Sequence, residues 1–374
     1  RIKQYNTGSF LIYKNLPKNL SKKETINATT HSQALEYVLK LFEDPEYGCL
    51  EHIDDLIAVG HRVVHGKDVY NSSILITKES LEILKSFIEL APLHQPANIT
   101  GIEACMKILP DKPMVAVFDT AFHQTMPAEA FMYGVPYEYY TDYGIRRYGF
   151  HGTSHKYVAQ RAAEILKKSF NDLNLITLHL GNGASITAIK NGKVIDTSMG
   201  FTPLEGIMMG TRSGDLDPAI VPFLMHKLNC DWETMDKLLN KKSGLLGLSG
   251  ISNDMRDLVE KKNAGNDRAK IAYDVFIYKI VKYVGAYYAA INAKLDAIIF
   301  TAGIGENSID VRRDICNRLK YFGVKLDNER NNVISNTPRL ITANDSFIDV
   351  YVIPTDEELL MARDTFEIYK KINS

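Results

Sequence analysis

Residues 175–185 read Leu-Ile-Thr-Leu-His-Leu-Gly-Asn-Gly-Ala-Ser, the most informative stretch of this sequence. Its first half is an apolar, partly β-branched run, the pattern of a buried central strand. The run breaks at Gly181, Asn182 and Gly183, where glycines let backbone N–H groups come close to a ligand because no Cβ intervenes. Successive N–H groups in such a turn bind anions, phosphate above all. The stretch therefore predicts a strand followed by a phosphate-sized turn.

The segment after this turn also has strand character. Residues 185–190 alternate between polar and apolar side chains, and Asn191-Gly192 is a strong hairpin signal. The order strand, turn, strand and hairpin argues against a Rossmann fingerprint or a Walker loop, because both place a helix after the turn. Since Gly-Asn-Gly between strands is more often a plain turn, the phosphate interpretation depends on residues elsewhere in the chain.

Length and composition bound the class of protein. The chain has 374 residues, enough for two domains, and its net charge is −1. There is no basic stripe that would indicate a nucleic-acid partner, and no apolar run long enough to span a membrane. Four cysteines lie far apart in the sequence, which favours reduced thiols in a cytoplasmic protein over a disulfide framework.

Two polar candidates lie in the first third of the chain. Residues 56–64 predict a buried strand that carries Arg62. Because arginine is seldom fully buried without a partner, Arg62 is either salt-bridged for structural reasons or functional. Residues 91–96 form a loop in which two prolines flank His94, and this stiffness favours contact with a ligand over a plain surface position.

Two further candidates follow predicted strands or lie in loops. Residues 114–120 predict an apolar strand with Asp119 at its carboxyl end. Ligands in α/β folds gather outside the carboxyl ends of strands, although an acid there can also cap a helix. Residues 200–217 read as a long loop that carries Arg212 between small residues. Long loops inside compact domains are usually functional.

A dense polar cluster precedes the next helix. Residues 146–155 read Arg-Arg-Tyr-Gly-Phe-His-Gly-Thr-Ser-His, and Thr153 or Ser154 is suited to cap the helix that follows. Two arginines and two histidines in a stretch with flexible glycines are hard to explain as core. This cluster, which includes His151, is therefore a functional candidate.

The last third of the chain combines a long helix with a second glycine-rich segment. Residues 268–295 predict one helix, with an apolar stripe that indicates core or subunit contact. Residues 297–300 predict a strand, and residues 301–307 then predict a second glycine turn. Residues 355–358 open a terminal helix, where the helix dipole favours acids, but a metal role for Glu357 stays open.

These pieces fit phosphoryl transfer. Zinc and a serine triad are disfavoured, because the chain has neither the paired ligands of the first nor the Gly-x-Ser-x-Gly elbow of the second. Phosphoryl transfer needs positive charge on the equatorial oxygens and reactants held in line. Arginine forks bind carboxylate or phosphate, and Mg²⁺ takes one or two carboxylates plus phosphate oxygens. The residues alone indicate a nucleotide-dependent phosphotransferase that acts on a small anion.

At these same residues the chain resembles the acetate kinase family. The motifs occur in the family's order and span essentially the whole chain: 60–66, 92–94, 118–123, 149–155, 179–183, 210–215, 254–256, 303–307 and 355–358. The resemblance implies an α/β, two-domain actin-like ATPase (ribonuclease H-like) fold with a nucleotide cleft between the domains. It implies a first domain of 1–121 plus 357–374, and a second of 122–356 for nucleotide binding and dimerisation.

The implied activity is reversible transfer of a phosphoryl group from ATP to acetate, with Mg²⁺ or Mn²⁺, which gives acetyl phosphate and ADP by direct in-line transfer. The family is usually a homodimer. By resemblance, Arg62 and Arg212 would grip acetate and the moving phosphoryl group, and His151 would hydrogen-bond that group, with His94 nearby. Asp119 is the family's acid/base residue. Because acetate is already ionised at neutral pH, organising Arg62 or the metal shell is the better role for Asp119.

The resemblance also implies three subsites. Glu357 would help to place the metal ion. The acetate methyl group would lie among Val64, Leu93, Phe150 and Pro203, a pocket that admits propionate in part because one methylene is worth only about 1–3 kcal/mol. The nucleotide would contact His179, Leu180, Gly181, Asn182, Gly183, Asp254, Met255, Arg256, Gly303, Ile304, Gly305, Glu306 and Asn307.

One departure from the family pattern leaves alternatives open. The family opens with a strand and an Asn-x-Gly-Ser-Ser-Ser turn, and this sequence starts at Arg1, inside that pattern. We expect that the sequence is trimmed there. An inactive nucleotide-binding remnant and a propionate or butyrate kinase are the alternatives. A pyrophosphate-dependent enzyme is disfavoured, because the small Gly303 leaves room for adenosine.

Overall fold

The computed structural model describes residues 2–5, 8–91 and 94–374. The chain divides into two units, one formed by Arg1–Phe118 with Glu358–Ser374 and the other by Asp119–Glu357. The assignment of nucleotide binding and dimerisation to the second unit stays a prediction. Among the described residues, every helix is too short or too polar to cross a membrane.

The first unit contains two three-stranded sheets. One has the order β1-β2-β3 and the other β4-β6-β5. The strands are β1 (Ile2–Tyr5), β2 (Gly8–Asn15), β3 (Leu20–Ile26), β4 (Val59–Val63), β5 (Ile74–Leu75) and β6 (Met114–Phe118). The helices are α1 (His31–Phe42), α2 (Lys78–Ser86), α3 (Gln95–Ile108) and the C-terminal helix Glu357–Ile372.

Strand β6 is buried along its whole length, which confirms the strand predicted before Asp119. Its neighbour β4 differs from the prediction. Only Val63 is buried in β4, and Arg62 is exposed. The expectation of a buried strand with a buried arginine was therefore wrong. The physical reason is that β4 pairs with β6 on one side and alternates its side chains between two environments.

The second unit is built on a six-stranded sheet of order β11-β12-β10-β7-β8-β9. Its strands are β7 (Leu175–Leu180), β8 (Ala184–Lys190), β9 (Lys193–Thr197), β10 (Ala297–Thr301), β11 (Arg339–Leu340) and β12 (Asp349–Val352). Strand β7 is fully buried, and it pairs with β8 antiparallel and with β10 parallel. The predicted strand, turn and strand at 175–190 are thus confirmed. The turn lies at the carboxyl end of β7, beside the carboxyl end of β10.

The second unit also contains eleven described helices. They are α4 (Ala128–Phe131), α5 (Glu138–Tyr143), α6 (Gly152–Leu166), α7 (Ile220–Leu228), α8 (Trp232–Lys241), α9 (Gly244–Ser249), α10 (Met255–Asn263), α11 (Asp267–Ile291), α12 (Ala302–Asn307), α13 (Ile309–Arg318) and α14 (Asn328–Asn332); the C-terminal helix of the first unit is α15. Helix α11 confirms the predicted long helix, although it ends at Ile291 instead of residue 295. Phe276 and Ile280 are buried, whereas Ile271 and Tyr278, which the periodicity also places on the apolar stripe, are exposed. The helix is apolar on several faces, so periodicity alone could not identify which face is buried.

Two local predictions were wrong. Residues 302–307 form helix α12 directly after β10, instead of a glycine turn. The Glu306 carboxylate accepts hydrogen bonds from the Ala302 N–H (2.8 Å) and the Thr301 hydroxyl (3.3 Å), which satisfies the start of that helix. At α6 the N-cap position belongs to His151, and Thr153 and Ser154 lie inside the first turn, where their hydroxyl groups bond to residues near the C-terminal helix.

Candidate active site

A cavity of about 780 Å³ lies in the second unit. It brings together eight of the residues predicted to contact nucleotide, namely Gly181, Asn182, Asp254, Met255, Arg256, Gly303, Ile304 and Asn307. Six other lining residues were not predicted from the sequence: Val259, Glu260, Asn253, Ser308, Ile309 and Asp310. A signal for the first two was present, because they lie one helical turn beyond Met255 and Arg256 on α10.

The remaining predicted nucleotide residues do not line this cavity. Leu180 and Gly305 are buried. The Glu306 carboxylate accepts a hydrogen bond from the Thr355 N–H (3.1 Å) in addition to its bonds within α12. It therefore ties α12 to the segment that carries Glu357. The side chain of His179 turns toward α6, where its Nδ1 lies 2.8 Å from the Ser154 hydroxyl.

The turn after β7 is fixed from three directions. The Gly181 N–H donates to the Gly183 carbonyl (3.1 Å), and the Gly210 N–H donates to the Asn182 carbonyl (3.0 Å). The Asn253 amide donates to the Asn182 side-chain oxygen (2.7 Å). Asn182 thus joins the turn to the 200–217 loop and to the segment that precedes α10.

Two predicted catalytic residues converge on Gly183. A Cβ built on Gly183 would lie 3.4 Å from Arg212 Nη1 and 3.4 Å from His151 Nε2. Arg212 Nη1 also donates to the Pro203 carbonyl (3.3 Å), which holds the guanidinium in the 200–217 loop. Burial lowers the pKa of Arg212 from its ordinary value, but a guanidinium keeps its proton in proteins. A cation and a ring nitrogen therefore flank one point above the turn.

His151 has an unusual backbone. Its φ of +59° lies in the left-handed region, which a residue with a Cβ adopts at a cost in energy and which clusters at functional sites. The ring is held by its surroundings: Nδ1 lies 2.8 Å from the Ser185 hydroxyl, and the ring stacks on His179 with centroids 4.1 Å apart. The fold thus over-determines the position of this side chain.

Two carboxylates meet at the start of α6. The Thr153 hydroxyl donates to Glu357 Oε2 (2.7 Å) and lies 3.5 Å from Asp119 Oδ1. Asp119 is almost fully buried, and its carbonyl accepts a hydrogen bond from the Gly152 N–H (2.8 Å). A pair of carboxylates fits Mg²⁺, which binds one or two carboxylates and completes its shell with water and phosphate oxygens. Within the described ranges, three or more His, Cys, Asp or Glu side chains do not cluster into a protein-only cage.

The other predicted site residues belong to both units. Arg62 is exposed on β4, and Val64 follows that strand, with its N–H donating to the Asn98 side chain (3.0 Å). His94 is exposed at the N-cap position of α3. Phe150, in the second unit, is buried beside His151 in sequence. Leu93 lies outside the described residues.

A sequence profile described as the acetokinase family matches residues 4–363. The chain belongs to the acetokinase family. It is 52% identical over 366 residues to an acetate kinase from Clostridium novyi, which covers 98% of this chain and 90% of the relative. An acetate kinase from Clostridioides difficile is 54% identical over 340 residues, covering 91% and 85%.

Solved structures agree with this acetokinase assignment. The acetate kinase of Porphyromonas gingivalis matches with a TM-score of 0.91 and 44% identity, over 96% of this chain and 90% of that one. A propionate kinase from Francisella tularensis matches with a TM-score of 0.89 and 42% identity, over the same shares. The predicted two-domain, actin-like α/β fold is thereby confirmed, and so is the prediction that the chain is a kinase.

Proposed function

We propose that this acetokinase-family chain transfers the terminal phosphoryl group of ATP to acetate and forms acetyl phosphate and ADP, reversibly. The observation that carries the proposal is the convergence of Arg212 and His151 on Gly183, in a chain that matches the family over residues 4–363. A binding remnant without activity would have no reason to retain this pair of donors at a phosphate-sized turn.

The chemistry follows from these groups. One acetate oxygen forms a bond to the γ-phosphorus while the bond to the oxygen shared with the β-phosphate breaks, and ADP carries that electron pair away. Acetate is already ionised at neutral pH, so no residue has to remove a proton. The residues instead align the reactants and balance charge on the equatorial oxygens, which is most of what phosphoryl transfer requires. Arg212 supplies charge there, and His151 supplies an N–H donor.

We assign the 780 Å³ cavity to the nucleotide. Its lining from the turn after β7, from α10 and from α12 suits phosphate at the turn and the base among the helices. The Gly303 Cα faces open space, since a Cβ there would meet nothing within 4 Å. That room favours ATP over pyrophosphate as the phosphoryl donor. Asp119 and Glu357 would hold Mg²⁺, which when bound neutralises charge on the phosphates.

From the resemblance to the family, we propose that acetate contacts Arg62, Val64, Leu93, Phe150 and Pro203. Arg62 would grip the carboxylate with its fork, and the apolar residues would surround the methyl group. A small apolar pocket separates acetate from propionate by only about 1–3 kcal/mol. We therefore expect acetate to be the preferred acid and propionate a slower substrate.

We also propose a cytoplasmic homodimer. The four cysteines are free thiols, as is usual in a reducing compartment. Helix α7 (Ile220–Leu228) is strongly apolar, and all nine of its side chains, which the structure describes, remain at least partly exposed. Phe223 on this helix is 60% exposed. A large exposed apolar patch marks an interaction site, so Phe223→Glu should convert a dimer to a monomer in light scattering. A wild-type protein that is already monomeric would contradict the proposal.

The activity is tested by trapping acyl phosphate with hydroxylamine in the presence of ATP, Mg²⁺ and acetate. Hydroxamate should form with the protein and should be lost with Arg212→Ala, while ATP binding measured by calorimetry persists. Propionate in place of acetate should give a lower kcat/KM. Tight ATP binding by the wild-type protein without hydroxamate from either acid would favour the inactive remnant.

A further inference from the structure

A chain of hydrogen bonds runs from the core of the sheet to His151. The Thr177 hydroxyl on β7 lies 2.7 Å from His155 Nδ1. His155 Nε2 lies 2.8 Å from the Ser185 hydroxyl on β8, and the same hydroxyl lies 2.8 Å from His151 Nδ1. Thr177, His155 and Ser185 are each fully buried. All four residues belong to the second unit, and their order is Thr177, His155, Ser185, His151.

The direction of this chain decides which proton His151 carries. A hydroxyl group has one proton, and a neutral imidazole has one N–H and one lone pair. If Thr177 donates to His155 Nδ1, then His155 Nε2–H must donate to Ser185. Ser185 must then donate to His151 Nδ1. A neutral His151 that accepts at Nδ1 carries its proton on Nε2, the atom that faces Gly183 beside Arg212.

The opposite direction of donation gives a weaker hydrogen bond at Thr177. It would require the Thr177 hydroxyl to accept from His155 and to place its own proton elsewhere. The acceptor on offer is the Thr187 carbonyl, at 3.5 Å, the outer limit of a hydrogen bond. Donation to His155 at 2.7 Å is the better bond. Burial, together with the neighbouring His123 and His179, lowers the pKa of His155 well below its ordinary value, which keeps this ring neutral.

We propose that Ser185 and His155 are positioning residues that hold His151 with its proton on Nε2, ready to donate to the phosphoryl group. The proposal rests on the proposed phosphoryl transfer. Without this chain of hydrogen bonds, neutral His151 populates both tautomers. The tautomer with a lone pair at Nε2 repels a phosphate oxygen. A comparable loss of tautomer control is costly in the serine hydrolases.

The kinetic test uses Ser185→Ala with a matched control. Thr187→Val is on the same strand and also removes a buried hydroxyl that faces a histidine, because Thr187 Oγ1 lies 3.2 Å from His123 Nε2. We expect Ser185→Ala to lower kcat by about ten- to a hundredfold, part of the effect of losing an oxyanion donor. The KM values for acetate and ATP should stay the same, Ser185→Thr should restore kcat, and Thr187→Val should leave kcat unchanged.

The tautomer itself is read by ¹⁵N NMR of histidine-labelled protein, with His151→Gln used to assign the signal. The wild-type spectrum should show a protonated Nε2 and an unprotonated Nδ1 for His151, and Ser185→Ala should shift both nitrogens toward intermediate values. A wild-type His151 protonated at Nδ1, or an unchanged kcat in a folded Ser185→Ala, would overturn the positioning role. If the wild-type protein makes no hydroxamate, the proposed function fails, and the NMR result still decides the direction of the chain.

Discussion

A single methyl group at Gly183 offers a sharp test of the site. The backbone of Gly183 is outside the left-handed region, and the nearest atoms to an added Cβ would be Arg212 Nη1 and His151 Nε2 at 3.4 Å. Gly183→Ala should therefore fold with little strain. A phosphoryl oxygen that accepts hydrogen bonds from both nitrogens must approach to about 2.9 Å. From the side of the turn, that position overlaps the methyl group.

The expected loss of kcat follows because the methyl group removes at least one hydrogen-bond donor from the phosphoryl oxygen. Removing one donor to a developing anion costs about 3 kcal/mol, on the order of 10² in kcat. Gly285→Ala on α11 is the matched control, because its added methyl would make one ordinary contact, 3.7 Å from Phe322. Hydroxamate formation and thermal unfolding are measured for both variants. We expect similar melting temperatures for both and a large loss of kcat for Gly183→Ala alone.

One result would contradict the proposed position of the phosphoryl group. If Gly183→Ala keeps the wild-type kcat while its melting temperature is also unchanged, the phosphoryl group does not pass between Arg212 and His151. The site would then have to be sought elsewhere along the cavity. If the kcat and the melting temperature of Gly183→Ala fall together, the added methyl group has distorted the turn. In that case the kcat of Gly183→Ser should be no lower than that of Gly183→Ala.

Three further predictions address the cavity, the core and the pH dependence. Gly303→Phe should raise the KM for ATP several-fold and leave the KM for acetate unchanged, because the ring would enter open space in the cavity. Arg312→Met should lower the free energy of unfolding in urea by about 3 kcal/mol or more, since this fully buried guanidinium donates to Asn331 and to the Gly305 and Glu306 carbonyls, which the change would leave unsatisfied; Arg312→Lys should rescue little. Desolvation lowers the pKa of His61 from 6.5 to about 4 in the folded protein. Between these two pH values the imidazole is protonated in the unfolded chain but neutral in the folded one. The free energy of unfolding should therefore fall as the pH drops from 6.5 toward 4. His61→Gln should make that slope shallower, and an equal slope in both proteins would contradict the shift.

Several elements were predictable because their signals are local. Helix α1 (His31–Phe42) has apolar residues at helical spacing, and Thr30 with Gln33 forms the capping box that starts it. The Gly-Asn-Gly turn between β7 and β8 follows from an apolar run, two glycines and a second alternating run. Arg212 and His151 could likewise be predicted as functional residues, because polar residues among small ones are rare in a core.

Other features depend on contacts between distant residues. Helix α12 replaced the expected glycine turn because the Glu306 carboxylate accepts from the Ala302 N–H at the start of the helix and also from the Thr355 N–H, 49 residues away. The exposure of Arg62 follows from the position of β4 in its sheet, which a run of apolar letters does not report. The six cavity residues that were not predicted line a space whose walls come from separate segments of the chain.

The strand and turn at 175–190 and the main helices can be read from the amino-acid sequence, because hydrophobic periodicity and glycine act over a few neighbouring residues. Two features require the folded chain: His151 and Arg212 meet at Gly183, and Ser185, 34 residues from His151, lies between the buried His155 and the half-buried His151. The direction of a hydrogen bond depends on which groups meet in space, and the packing of β7, β8 and α6 against one another settles that.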